Sequence, residues 1–319
     1  MKTKVNYIFF SSSQFGRFVL NKLLKNFPPL FLITKKPKPQ QREKIIKLNP
    51  VAELALKKHF PFFEIEELQP EQIEKYQPLF GLIAGFGKIL KKEWLEIFPL
   101  GILNIHPSLL PKFRGPSPIQ ATILNNEKPG VTIFLVDEGI DTGPILWQEK
   151  LPIKIDYFAK MEKELALKGA EIFLKNIESF IKGKVKPQNQ QGEVILTTKI
   201  SFQDAQVKSD DLVDLAWRKI LAFHQEPTAW LKVKINGREK ILKIFKGKKI
   251  KENFLKSLLK KEIPNKLKKW PQLIFLNNNV FLRLCDGYLL LEEVQLEGKK
   301  KMSGKEFFNG YAKKEIELV

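Results

Sequence analysis

Four short apolar runs, residues 5–10, 30–33, 82–84 and 101–105, alternate in the first third of the chain with stretches whose apolar positions recur at helical spacing, near 14–25, 50–58 and 91–97. Runs this short and continuous read as strands covered on both faces, and the intervening helices supply the covers. The pattern predicts an α/β fold: a doubly wound, mostly parallel, Rossmann-like sheet with its ligand site at the carboxyl ends of the strands. Residues 101–106 break the uniform apolarity. Ile102, Asn104 and His106 share one face of the strand, while Leu103 and Ile105 share the other, so an amide and an imidazole project together near its end. Residues 131–136 read as the next strand, delivering Asp141 to the same rim. A long helix over 157–181 follows, with Met161, Leu165, Ile172, Phe173, Ile177 and Phe180 at helical period.

Residues 183–192, rich in Lys, Gln, Asn and Pro, carry neither period and read as a linker. Beyond a helix at 210–223 the pattern changes to alternating runs at 230–235, 240–245, 273–276, 280–285 and 288–296. They are broken by Asn236-Gly237, Asn277-Asn278-Asn279 and Asp286-Gly287, which are hairpin signals. This predicts a small OB-like β-barrel. The domain expectation is therefore a catalytic domain over 1–182, a linker over 183–203 and a barrel domain over 204–319.

Composition narrows the class. A length of 319 residues suits two domains of the usual size, about 100–200 residues each. Hydrophobic content of 43% and a mean hydropathy of −0.22 fit a water-soluble enzyme. The single cysteine, Cys285, cannot close an intramolecular disulfide, and no Cys/His spacing suits zinc, so no metal is expected. Residues 5–10 are too short for a signal core, and no run approaches the ~18 apolar residues of a membrane span. The expected setting is the cytoplasm, away from any membrane.

The net charge is +20. A lysine-rich composition accounts for such an excess as readily as a polyanionic partner does. Its distribution is more telling: residues 231–270 hold 15 Lys and Arg against 3 Asp and Glu. That one-sidedness favours a nucleic-acid-facing patch in the barrel, with Lys232, Lys234, Lys246, Lys248 and Lys249 as candidate phosphate contacts.

The chemistry concentrates in Asn104-Ile105-His106-Pro107-Ser108-Leu109-Leu110-Pro111 and in Asp141-Thr142-Gly143-Pro144. An amide, an imidazole and a carboxylate can stabilise an oxyanion and manage a proton at a carbonyl. No Ser or Cys stands beside them in an activating motif, so the nucleophile belongs to the substrate. Gly85-Phe86-Gly87 has part of a dinucleotide fingerprint, but Leu90 stands where its last glycine belongs, which argues against a dinucleotide.

The run N-I-H-P-S-L-L-P-K-F-R-G at 104–115, with D-E-G-I-D-T-G at 137–143, resembles the signature of enzymes that move a formyl group from 10-formyltetrahydrofolate to an amine. Residues 114–120, R-G-P-S-P-I-Q, continue it. Nearly end to end the chain is similar to the methionyl-tRNA formyltransferase family. F-F-S-S-S-Q-F-G at 9–16 stands at that family's first strand and turn, with Ser11 in place of a glycine. Residues 34–51 align with an insertion that contacts the tRNA acceptor end, Arg42 at its key arginine, but without the flanking glycines and Pro-Asp pair. L-E-G-K-K-K-M-S-G at 296–304 and F-F-N-G at 307–310 resemble the close of the C-terminal domain. Residues 222–230 are similar to the junction segment, except that His224-Gln225-Glu226 replaces its usual residues.

The resemblance implies a monomeric enzyme that transfers formyl from 10-formyltetrahydrofolate to the α-amino group of initiator methionyl-tRNA. It assigns catalysis to Asn104, His106 and Asp141. Folate falls to the loop Ser108, Leu109, Leu110 and Pro111, with Gly85, Phe86 and Gly87 against the pterin, and the acceptor end to Arg42 with Lys38 and Lys44. Two other classes share part of the pattern. A formyltransferase acting on a small amine, such as glycinamide ribonucleotide or an amino sugar, would keep the trio without the basic barrel. A non-catalytic RNA-binding protein would keep the barrel without needing the trio.

Overall fold

The computed structural model describes residues 5–37, 47–224, 227–259 and 263–319. They form two compact units: the first runs to Thr198, and the second comprises Lys199–Val319 with the short stretches 123–127 and 156–159.

Up to Thr198 the strands are β1 (Tyr7–Phe10), β2 (Leu32–Thr34), β3 (Phe62–Glu64), β4 (Phe80–Ile83), β5 (Ile102–His106), β6 (Lys112–Arg114), β7 (Gly130–Leu135), β8 (Ile145–Lys150) and β9 (Ile195–Leu196). The helices are α1 (Gln14–Asn26), α2 (Pro50–Lys57), α3 (Glu71–Glu74), α4 (Lys92–Glu96), α5 (Pro118–Leu124) and α6 (Phe158–Ile181). Seven strands form one sheet in the order β3-β2-β1-β4-β5-β7-β8. The first five are parallel, and β7 and β8 are antiparallel. The sheet is thus the mostly parallel one expected, closed at one side by an antiparallel pair.

All four residues of β1 are fully buried, as the apolar run requires of a strand covered on both faces. Ile8 and Phe10 pack with Phe86, Trp94 and Phe98. On the opposite face Tyr7 and Phe80 meet Phe173 of α6. Ser13 caps α1 by accepting from the Gly16 amide, and Asn49 caps α2 ahead of Pro50. Ser11 donates from Oγ to the Ala84 carbonyl. A side chain at Gly16 would collide with that same hydroxyl.

The second unit contains α7 (Val213–Ala222), β10 (Trp230–Ile235), β11 (Arg238–Ile250), α8 (Glu252–Leu259), α9 (Asn265–Lys268), β12 (Gln272–Leu276), β13 (Asn279–Leu284), β14 (Gly287–Leu296), β15 (Met302–Ser303), α10 (Gly304–Tyr311) and β16 (Ile316–Leu318). Its strands are antiparallel in the order β12-β13-β14-β11-β10-β16, with β15 on β14. The first and last of these strands also approach each other, which nearly closes the sheet into the OB-like barrel. Asn236 and Gly237 both have positive φ, the conformation a two-residue hairpin turn needs. β11 is far longer than the run at 240–245 suggested, because register shifts around Lys246 and Gly247 let it bend and continue to Ile250. α10, absent from the periodicity reading, begins at a reciprocal capping box between Ser303 and Glu306.

Candidate active site

β5 carries the first two members of the trio. Its Ile105 face is closed by α6, where Gly169 leaves no room for a Cβ beside Ile105. The opposite face holds Asn104, half-buried, and His106, buried.

Asp141 reaches them by a route the sequence does not suggest. β7 is antiparallel to β5, so its end lies beside Ile102, at the beginning of β5, where the Val136 amide donates to the Ile102 carbonyl. The strand alone would carry Asp141 away from the rim. The turn after it doubles back: the Leu135 amide donates to the Pro144 carbonyl, and Gly143 crosses so near the Leu135 carbonyl that a Cβ there would overlap it. Inside the turn the Asp137 Oδ1 accepts from the Gly139 amide and the Thr142 hydroxyl. Asp141 itself adopts a left-handed backbone, φ 53°.

The three side chains then converge. Asn104 Nδ2 donates to Asp141 Oδ1 at 3.4 Å, and His106 Nδ1 lies 3.6 Å from Asp141 Oδ2, an ion-pair separation rather than a hydrogen bond. The Gly115 amide donates to the same Oδ2 at 2.8 Å. His106 Nε2 is 3.0 Å from the Phe113 carbonyl. A carbonyl only accepts, so Nε2 is the protonated nitrogen of that contact, leaving Nδ1 facing the carboxylate.

The segment read as a linker closes over this region. β9 pairs with β6, the Thr197 hydroxyl donates to the Arg114 carbonyl, and Ser117 donates to the Thr198 carbonyl. Gln190 donates from its amide to the carbonyls of Asp141 and Gly143, and accepts from the Arg114 guanidinium. No periodicity or motif marks Gln190; it is one of several glutamines in a polar stretch.

The loop at Ser108, Leu109, Leu110 and Pro111 lies immediately after His106, and several of its backbone groups are engaged within the protein. Thr132 Oγ donates to the Ser108 carbonyl and accepts from the Leu110 amide, and Gln148 donates to both the Leu110 carbonyl and Thr132. Ser108 donates to the Lys112 carbonyl. The signal for Thr132 is a single hydroxyl inside the apolar run of β7. Gly85 and Gly87 both have positive φ, whereas the Phe86 side chain is buried against Phe10, so only backbone at 85–87 can face a ligand.

Lys38, Arg42 and Lys44 lie outside the described residues. In the second unit four of the five chosen lysines are engaged. Lys232 pairs with Glu239 at 3.3 Å, Lys246 with Glu293 at 3.7 Å and Lys248 with Glu292 at 2.6 Å. Lys249 pairs with Asp214 at 2.5 Å and stands over the Trp217 ring. Lys234 is exposed on β10. Among the described residues no helix is long and apolar enough to cross a membrane.

Comparison with known proteins adds the relatives. A formyl transferase family model matches residues 4–177, and a model of the formyl transferase C-terminal domain matches 199–312. The chain is 32% identical to the methionyl-tRNA formyltransferase of Dictyoglomus turgidum, covering 95% of this chain and 96% of that one. It is 36% identical to that of Methylacidiphilum infernorum, over 88% of this chain and 86% of that one. In fold it is similar to HypX from Aquifex aeolicus, solved in complex with tetrahydrofolic acid: TM-score 0.67 at 18% identity, covering 98% of this chain and, because HypX is larger, 48% of that one.

Proposed function

We propose, from the premise that this chain belongs to the methionyl-tRNA formyltransferases of the formyl transferase family, that Asn104, His106 and Asp141 transfer formyl from 10-formyltetrahydrofolate to the α-amino group of initiator methionyl-tRNA. The observation that carries the site assignment is the convergence of an amide, an imidazole and a carboxylate at one end of the sheet. The folate-bound fold relative supports the donor class.

The α-amine attacks the formyl carbon, and negative charge develops on the formyl oxygen. Asn104 Nδ2 makes only a long bond to Asp141, so it can turn to donate to that oxygen. His106 Nε2–H is held by the Phe113 carbonyl, so it is as the imidazolium, protonated on both ring nitrogens, that His106 donates from Nδ1, the nitrogen facing Asp141. Donors fixed before charge develops lower the barrier because they need not reorganise, and losing one typically costs about 2.7–4 kcal/mol. Asp141, oriented by the Gly115 amide, takes the amine proton directly or through a water and passes it to N10 of the folate as the bond between N10 and the formyl carbon breaks. The loop 108–111 and the backbone at 85–87 flank the folate. Arg42, Lys38 and Lys44 contact the acceptor end, and the lysines of the second unit contact the tRNA backbone.

The test is transfer of labelled formyl from 10-formyltetrahydrofolate with initiator methionyl-tRNA, elongator methionyl-tRNA and glycinamide ribonucleotide offered in parallel. Preferential labelling of the initiator supports the full reading. Labelling of glycinamide ribonucleotide in place of tRNA would overturn the substrate assignment and keep the chemistry.

A further inference from the structure

We infer that Gln190 is a positioning residue for Asp141, locked in turn by Arg114, so that the stretch between the two family-model matches completes the active site. This rests on Asp141 acting in formyl transfer.

Asp141 has a problem of support. Its turn follows an antiparallel strand that points away from the site, its backbone is left-handed, and Glu138, Gly139, Ile140 and Thr142 around it are exposed. A non-glycine residue in that conformation persists where its surroundings over-determine it. The contacts made by Asp137 lie within the turn and fix its shape, not its placement over β5. Gln190 supplies the external anchor. Its Nε2 donates to the Asp141 carbonyl at 2.9 Å and to the Gly143 carbonyl at 2.8 Å, one on each side of Thr142.

Gln190 is itself held. Arg114 donates to its Oε1 from Nε at 3.1 Å and from Nη2 at 2.8 Å. The amide cannot be flipped without losing all four contacts, because a guanidinium only donates and a carbonyl only accepts. Arg114 belongs to β6, and the next residue, Gly115, donates its own amide to the Asp141 carboxylate. The clamp therefore joins the two sides that define the carboxylate: the turn that carries it and the strand whose continuation orients it. Displacement of a reacting group by about 1 Å can cost on the order of 100-fold in rate, which is the scale at which such an anchor matters.

The test compares the full-length wild type with Gln190→Ala, Gln190→Glu, Asp141→Asn and the double variant Asp141→Asn/Gln190→Ala. Single-turnover formyl transfer to initiator methionyl-tRNA is measured alongside KM for each substrate and thermal unfolding. Gln190→Glu keeps an oxygen for Arg114, and hence the strap, but cannot donate to the two carbonyls. The expected result is a fall in kcat of about 30- to 100-fold for both Gln190 variants, with KM moving less than about threefold. In the Asp141→Asn background Gln190→Ala should add less than about twofold, because both changes remove the same function. A wild-type rate in Gln190→Ala or Gln190→Glu, or full additivity with Asp141→Asn, would overturn the inference. If Asp141→Asn alone kept its rate, the assignment of Asp141 would fall first, and the clamp with it.

Discussion

Asp141 and Lys246 are both charged side chains chosen from the sequence for a functional role, and the two units treat them in opposite ways. Asp141 is largely shielded, each carboxylate oxygen has its own neighbour, and even its main-chain carbonyl is claimed by Gln190. Lys246 is exposed, its ammonium 3.7 Å from Glu293, and Lys248 with Glu292 makes a second such pair between β11 and β14. A charge held away from water acts at full strength on one spot, so its position determines what it does. A charge in water is screened within about 10 Å at ordinary salt, so such charges act by number and tolerate replacement one at a time. The first unit uses few charges in defined places; the second uses many.

The largest expected effect lies at the rim. His106→Ala should lower kcat for formyl transfer by roughly 100- to 1,000-fold, the range for loss of one preorganised oxyanion donor, over and above the loss of thermal stability from emptying a buried site. Single-turnover kinetics with labelled donor checks it. A loss below tenfold would mean that the imidazole is packing rather than chemistry, and would break the contrast at its stronger end.

A buried acid sharpens the same contrast. Glu162 of α6 is pushed up to about 7 by burial, against which the Phe15 amide, donating to it, pulls the other way. Its unfolded value is near 4.5, so between about pH 4.5 and 7 the folded chain binds more protons than the unfolded one. Stability therefore falls as pH rises through that window, and the penalty is complete above it. Glu162→Gln should be near neutral at pH 4.5 and stabilising at pH 8, by a figure on the order of 3 kcal/mol or several degrees in Tm. Denaturation curves at the two pH values measure the difference; equal shifts at both would show that burial does not penalise this charge.

How much of this could be read beforehand follows the same division. The strand at 101–106 is legible because its alternation is local, and with it the shared face of Asn104 and His106. The antiparallel direction of β7, the return of the chain at Gly143 and the clamp by Gln190 depend on contacts between segments far apart in sequence, which neither period nor spacing encodes. β8 is not legible in the sequence because its exposed Gln148 and Lys150 and the flanking Pro144 hide a strand that only pairing with β7 makes regular. In the barrel the excess over 231–270 was plain, but a window counts only its own residues. Glu292 and Glu293 fall outside it, and antiparallel pairing of β11 with β14 sets them opposite the lysines.

That hidden pairing separates two ways in which the barrel could meet tRNA. If phosphates displace the carboxylates, Lys246→Glu, Lys248→Glu and Lys249→Glu together should remove about three units from the salt slope of tRNA binding. Between roughly 50 and 200 mM salt that is worth about 40-fold in affinity, while folate binding should hardly move. An unchanged slope would remove these lysines from the interface and leave Lys234 and the basic residues beyond the barrel sheet to supply it.

The smallest effect is the most discriminating. To reach a phosphate, Lys246 and Lys248 must first leave Glu293 and Glu292, and the glutamate left behind repels the phosphate that arrives. Glu292→Gln with Glu293→Gln should therefore tighten tRNA binding severalfold at low salt, on the scale of about 0.2–1 kcal/mol for each exposed pair. The gain should vanish near 0.5 M salt as screening removes both attraction and repulsion. Weaker binding in this variant would mean the reverse, that the carboxylates hold the lysines in the geometry the backbone needs. The second unit would then act by position as the first does, and the difference between the two regions would be one of solvent exposure alone.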